Sequence, residues 1–101
     1  MKSHEPKFEL GTVVMTATLA AIVNENCLQE KMQELLNRHV TGDWGDALCK
    51  ADQNENDFSL QNGFRLLSAY TVNVTGDKNF VVWLITESDR TVTTLLLPTD
   101  Y

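Results

Sequence analysis

The chain reads as an α+β domain: an antiparallel sheet of three to four strands, its C-terminal part a meander, covered by two or three short helices. Three observations predict this. Leu28, Met32, Leu35, Leu36 and His39 recur at helical spacing in the first half. From Phe64 onward the apolar period changes to two. Turn-forming clusters at Thr41–Asp46, Thr75–Lys78 and Glu87–Arg90 separate the segments. A length of 101 residues suits one domain over 1–101, with a helical half at about 16–63 and a β-meander at about 64–98.

Phe8–Met15 reads as a short strand interrupted at Gly11. Thr16 or Thr18 then caps a short helix through Leu19–Val23 that ends at Asn24–Asn26. The Leu28–His39 stripe marks an amphipathic helix of about three turns, with Glu34 and Arg38 as an i,i+4 pair. Two glycines and two aspartates in Thr41–Asp46 end it in a loop, which Trp44 anchors to the core. Asp52 and Glu55 have capping-box spacing and predict a helix capped by Asp52 and running to Asn62, with Gly63 in the left-handed terminating position. Phe64, Leu66, Ser68, Tyr70, Val72 and Val74 then share one face of a strand, and Arg65, Thr71 and Asn73 the other. Phe80–Ile85 is apolar on both faces, which suits the middle of a sheet. Thr91–Leu97 returns before Pro98 stops it, and could stand as a free edge for a second copy, a homodimer.

The balance of 43% hydrophobic and 22% charged residues is that of a folded globule rather than a disordered chain. No apolar run approaches the length of a membrane span, and Met1–Pro6 lacks the apolar stretch of a secretory signal. Cys27 and Cys49 fit neither a metal-ligand spacing nor a disulfide framework, which leaves two free thiols in a reducing compartment. The formal net charge of −6 argues against direct nucleic-acid binding. Its distribution is uneven. Residues 41–60 hold Asp43, Asp46, Asp52, Glu55 and Asp57 against Lys50 alone, a local net of −4. Such a segment is a solvated face or a surface for a basic protein site.

Three stretches follow one another: HVTGDWGD at 39–46, GFRLLSAY at 63–70, and WLITESDRTVTTLLLP at 83–98, closing on Tyr101. In that order they resemble a group of small "plasmid-related" proteins carried by phages, plasmids and other mobile elements of bacteria. The resemblance covers residues 39–101 and, more loosely, Phe8–Val14; residues 15–38 depart from it. It implies a setting, the cytoplasm of a bacterial host, and no particular reaction.

His39, Asp43 and Asp46 offer one imidazole and two carboxylates, the basis of an alternative reading as a small-ligand binder or metal-dependent hydrolase. The spacing is no known ligand signature, and His39 falls on the apolar stripe of its helix, so neither metal nor other cofactor is expected. Asp43 and Asp46 are expected to bond loop and helix-start amides. At the tip formed by Glu87, Asp89 and Arg90, an Arg–carboxylate bond would close the turn, with Arg65 joining it. Ser68 lies mid-strand and neither cysteine has a histidine partner, so no catalytic residue is assigned. The expected function is that of a non-enzymatic accessory protein that binds a host or mobile-element protein. Its specific form is an anti-defence inhibitor of a CRISPR or restriction effector. The expected contact residues are Asp43, Trp44, Asp46, Asp52, Glu55 and Asp57, with Glu87, Asp89 and Arg90 as a second patch.

Overall fold

Along the chain come β1 (Thr12–Met15), α1 (Ala17–Asn26), α2 (Gln29–Val40), α3 (Lys50–Asn62), β2 (Leu66–Thr75), β3 (Lys78–Thr86), β4 (Val92–Leu96) and a 3-10 turn at Pro98–Asp100. The computed structural model describes residues 5–76 and 78–101; Asp77, one residue of the expected 75–78 turn, lies outside them. The strand order is β1-β4-β3-β2. β2, β3 and β4 form the expected antiparallel meander. β1 adds a fourth strand at one edge, but it runs parallel to β4, with Thr12 beside Val92 and Met15 beside Leu95. The sheet is therefore mixed, because three helices and two strands separate β1 from β4 and no hairpin joins them. This also corrects the reading of Thr91–Leu97 as a free edge. β4 is an interior strand, and the edge on that side belongs to β1.

The helical stripe of α2 buries Met32, Leu35 and Leu36 against Leu19 and Val23 of α1 and against Tyr70, Val72, Val82, Leu84 and Leu95 of the sheet. Alternation on β2 is as expected: Leu66, Ser68, Tyr70 and Val72 are buried, Thr71 and Asn73 exposed. Phe64 departs from it, because it precedes the strand and is 52% exposed, and so does Ala69, which is buried on the outward face. On β3, Val82, Leu84 and Thr86 are fully buried on the helix side. On the opposite side Ile85 is buried and Trp83 half-buried, with Tyr101 edge-on to Trp83 at 5.8 Å.

Helix ends differ from the sequence reading in instructive ways. Thr16 does occupy the N-cap of α1, but its hydroxyl makes no capping bond. It donates instead to Asp100 Oδ2 at 2.7 Å, while Thr18 donates to Asp100 Oδ1 at 2.7 Å, so the C-terminal turn is fastened to the start of α1. α3 begins at Lys50 with Cys49 as its N-cap, and Asp52 lies in the first turn rather than at the cap. A carboxylate there still meets the positive end of the helix. Gly63 ends α3 at φ +73°, as expected. Arg38 pairs with Asp43 at 2.7 Å, and Glu34 with Lys31 at 3.2 Å, in place of the expected Glu34–Arg38 pair.

Candidate functional site

α3 is polar almost all round, and its buried residues are Asn56 and Ser59. Apolar burial cannot hold such a helix in place, and the edge of β2 supplies the alternative. Asn56 donates Nδ2–H to the Leu67 carbonyl and accepts the Leu67 N–H at 3.1 Å, as a neighbouring strand would. Two residues on, the Ala69 N–H donates to the Trp44 carbonyl and the Ala69 carbonyl accepts the Ala47 N–H, both at 3.0 Å. Two further on, the Thr71 N–H donates to Asp46 Oδ1 at 2.9 Å. Alternate outward-facing backbone groups of an otherwise open strand are thus taken up by the 44–56 segment. Gly45, at φ +101°, allows this close approach, since a Cβ there would collide with the Ala69 carbonyl.

Several candidate contact residues are therefore internal fasteners. Asp43 accepts from Arg38 and from the Gly45 N–H at 3.2 Å, and the Asp43 carbonyl accepts the Tyr70 hydroxyl at 2.5 Å. The hydrogen bond to Asp43, and then the charge of that carboxylate, raise the pKa of Arg38. Burial raises the pKa of Asp46, but the hydrogen bonds from Thr71 outweigh it and hold the carboxyl below its usual range. Asp46 bonds a strand amide, not the expected helix start. Trp44 is 4% exposed, lies 6.3 Å from the Phe8 ring, and donates Nε1–H to Asp57 Oδ1 at 2.9 Å. It anchors the loop and is not available to a partner at the surface.

His39 is fully buried and sits in a continuous polar chain. Its Nδ1 lies 2.5 Å from Ser68 Oγ and its Nε2 2.8 Å from Thr86 Oγ1; Thr86 Oγ1 lies 2.7 Å from Thr93 Oγ1. Thr93 donates to the Leu10 carbonyl at 2.7 Å. That last bond fixes every proton. With its one proton spent on Leu10, Thr93 must accept from Thr86, which must accept from Nε2–H, which leaves Nδ1 to accept from Ser68. Phe8, edge-on at 5.1 Å, and Trp44, at 5.9 Å, wall the imidazole. Burial, helped by the charge of Arg90, pushes its pKa down to about 3. Although Ser68 and His39 are adjacent, both have zero exposure, so no substrate reaches the hydroxyl. The side chains of His39, Asp43 and Asp46 serve three separate sets of partners. Among the described residues no group of three or more His, Cys, Asp or Glu could hold a metal ion.

At the β3–β4 tip, Arg90 adopts φ +62° and its guanidinium donates to the carbonyls of Phe64 (2.8 Å), Glu87 (3.0 Å) and Ser88 (3.4 Å), not to the expected carboxylates. Asp89 accepts from the Thr91 hydroxyl at 2.6 Å and from its N–H at 3.1 Å, which lowers its pKa. Arg65 does not join this network; its guanidinium lies 5.5 Å from the Tyr101 ring centre. Asp52, Glu55 and Glu87 are exposed, and no salt bridge engages them among the described residues.

A feature the sequence reading missed links these groups. Phe58 on α3 is 54% exposed and stands 6.0 Å from the ring of Phe64. Asp52, Glu55 and Phe58 recur every third residue along one side of α3. Since the Phe64 carbonyl also holds Arg90, the acidic helix and the Glu87–Arg90 tip meet at this aromatic pair. The described residues also form a shallow groove of about 760 Å³ between Pro6 and the end of α2, lined by Glu34, Asn37, Arg38, Thr41 and Asp43. No family model matches the chain, and neither a curated protein nor a solved structure is detectably similar to it.

Proposed function

We propose that this protein acts by binding and not by catalysis, docking on a basic surface of a host or mobile-element protein. The contact is the exposed side of α3, where Asp52 and Glu55 border the Phe58–Phe64 pair, with Glu87 at its far margin. The observation that carries the reading is this pairing of free carboxylates with large exposed aromatic rings. Aromatic side chains supply most of the affinity at protein interfaces, while surrounding charges select the partner and speed its approach. In the bacterial mobile-element setting that the sequence resemblance implies, the role is anti-defence. The carboxylates stand in for phosphates on the nucleic-acid-binding surface of a CRISPR or restriction effector and obstruct it.

The closed Ser68–His39 pair and the separate partners of His39, Asp43 and Asp46 support this reading over a hydrolase. Asp57 belongs to the loop anchor through Trp44, so reversing its charge disturbs the fold as well as the surface. Among the described residues Asp52 and Glu55 carry no such bond, and Asp52 meets only the positive end of α3. The test is capture of a partner from bacterial lysate, compared between wild type and the double reversal D52K/E55K.

A further inference from the structure

The two edges of the sheet are treated differently. At β2 the outward backbone groups of Leu67 and Ala69, and the N–H of Thr71, are bonded by Asn56, Trp44, Ala47 and Asp46. At β1 the Thr12 N–H donates to the Thr91 carbonyl at 2.8 Å and the Thr16 N–H to the Leu95 carbonyl at 3.0 Å. Alternate residues of a parallel strand bond the same neighbour, so Thr12, Val14 and Thr16 face β4. The N–H and C=O of Val13 and Met15 face outward. Among the described residues no side chain or loop bonds the outward groups of Val13, and the side chains of Val13 and Val14 are each 43% exposed.

We propose that the β1 edge pairs antiparallel with β1 of a second copy, giving a weak two-fold dimer with one continuous sheet. The strand is complementary to itself. With Val14 on the two-fold axis, Val13 of one copy exchanges both of its backbone hydrogen bonds with Met15 of the other, and the reverse pair does the same. Val14 then faces its own counterpart as a β-branched cross-strand pair. Charge favours the same occupant. Gly11–Thr16 carries no charged residue in a chain of net −6, and the acidic α3 is fastened at the opposite edge of the sheet. One carboxylate, Asp100, lies on Thr16 and Thr18 at one end of β1, so antiparallel pairing sets the Asp100 groups of the two copies at opposite ends of the joined strands and leaves the acidic α3 helices at the outer edges. The edge is four residues long, well short of a standard interface, so the dissociation constant is on the order of 100 µM.

The experiment is sedimentation equilibrium on the full chain from about 10 µM to about 1 mM, a range that spans this constant. The mean mass of the wild type is expected to climb from 11.4 kDa toward twice that value. V14K and V14E place like charges on the axis, and each is expected to remain at 11.4 kDa with an unchanged far-UV circular dichroism spectrum. An equimolar mixture of the two sets Lys against Glu and is expected to associate again. A wild type that stays at 11.4 kDa throughout overturns the proposal. So does association that survives in both variants, which would place the contact elsewhere, for instance at Phe58 and Phe64.

Discussion

Lowering the pH should destabilise this protein through one buried ring. His39 is folded as a neutral imidazole with a pKa of about 3, against 6.5 for the free side chain. The unfolded chain therefore binds a proton that the folded chain refuses, and stability falls as pH drops from 6.5 toward 3. Integrating between pH 7.5 and 5.0 gives a loss of about 2 kcal/mol, and the full span to pH 3 gives about 4 kcal/mol. The total stability of a domain this size is only about 5–15 kcal/mol, so this loss is a large fraction of it. Asp46, Asp89 and Asp100, whose pKa values are held low by hydrogen bonds, add to the loss at the acid end as they protonate. They scarcely titrate above pH 5, so the upper window isolates the histidine. Urea unfolding at pH 7.5 and 5.0 reads it directly. With a slope of about 1–2 kcal/mol/M, the wild-type midpoint should fall by about 1–2 M. H39Q keeps a neutral hydrogen-bonding side chain and His4, and its midpoint should hardly move. Equal losses in both proteins, or none in the wild type, would refute the assignment of the pH dependence to His39.

The proton order derived from Thr93 requires the Nε2–H tautomer of His39, which a long-range ¹H–¹⁵N correlation spectrum at pH 7 resolves; a signal for protonated Nδ1 contradicts it. N56A removes both bonds to the Leu67 backbone and is expected to cost about 1–3 kcal/mol in urea unfolding. N56D keeps the acceptor for the Leu67 N–H but sets a carboxylate against the Leu67 carbonyl, and should be no more stable than N56A. A loss below about 0.5 kcal/mol in N56A would mean that α3 is held by something other than this pair.

The parts of the fold legible in the sequence are those with local periodicity. The α2 stripe, the alternation on β2 and the terminating Gly63 all follow from spacing within a few residues. What was not legible depends on partners far along the chain. Nothing in Thr12–Met15 says that the strand runs parallel to β4, because direction is set by the path taken between them. Asn56 looks like one more solvated residue in a polar helix, since its partner is the backbone of Leu67, which carries no side-chain signature. Asp52 has the right spacing for a cap, but the cap is Cys49, three residues earlier. Arg90 invites pairing with its neighbouring carboxylates, yet carbonyls gathered by the turn and by Phe64 occupy it first. In the candidate surface, the acidic residues were visible from charge counting. The Phe58–Phe64 pair was not, because strand alternation assigned Phe64 to the core when the strand begins only at Leu66.

The central claim, recognition of a basic partner through α3, is tested most directly by capture from bacterial lysate with tagged wild type and D52K/E55K in parallel. Recovered proteins are identified by mass spectrometry at low salt and again at high salt. The expected result is a protein with a basic, nucleic-acid-binding surface, retained by the wild type at low salt and released at high salt. With the double reversal its recovery should fall by at least tenfold. Equal recovery by both proteins, or no partner for a wild type shown to be folded, contradicts the claim.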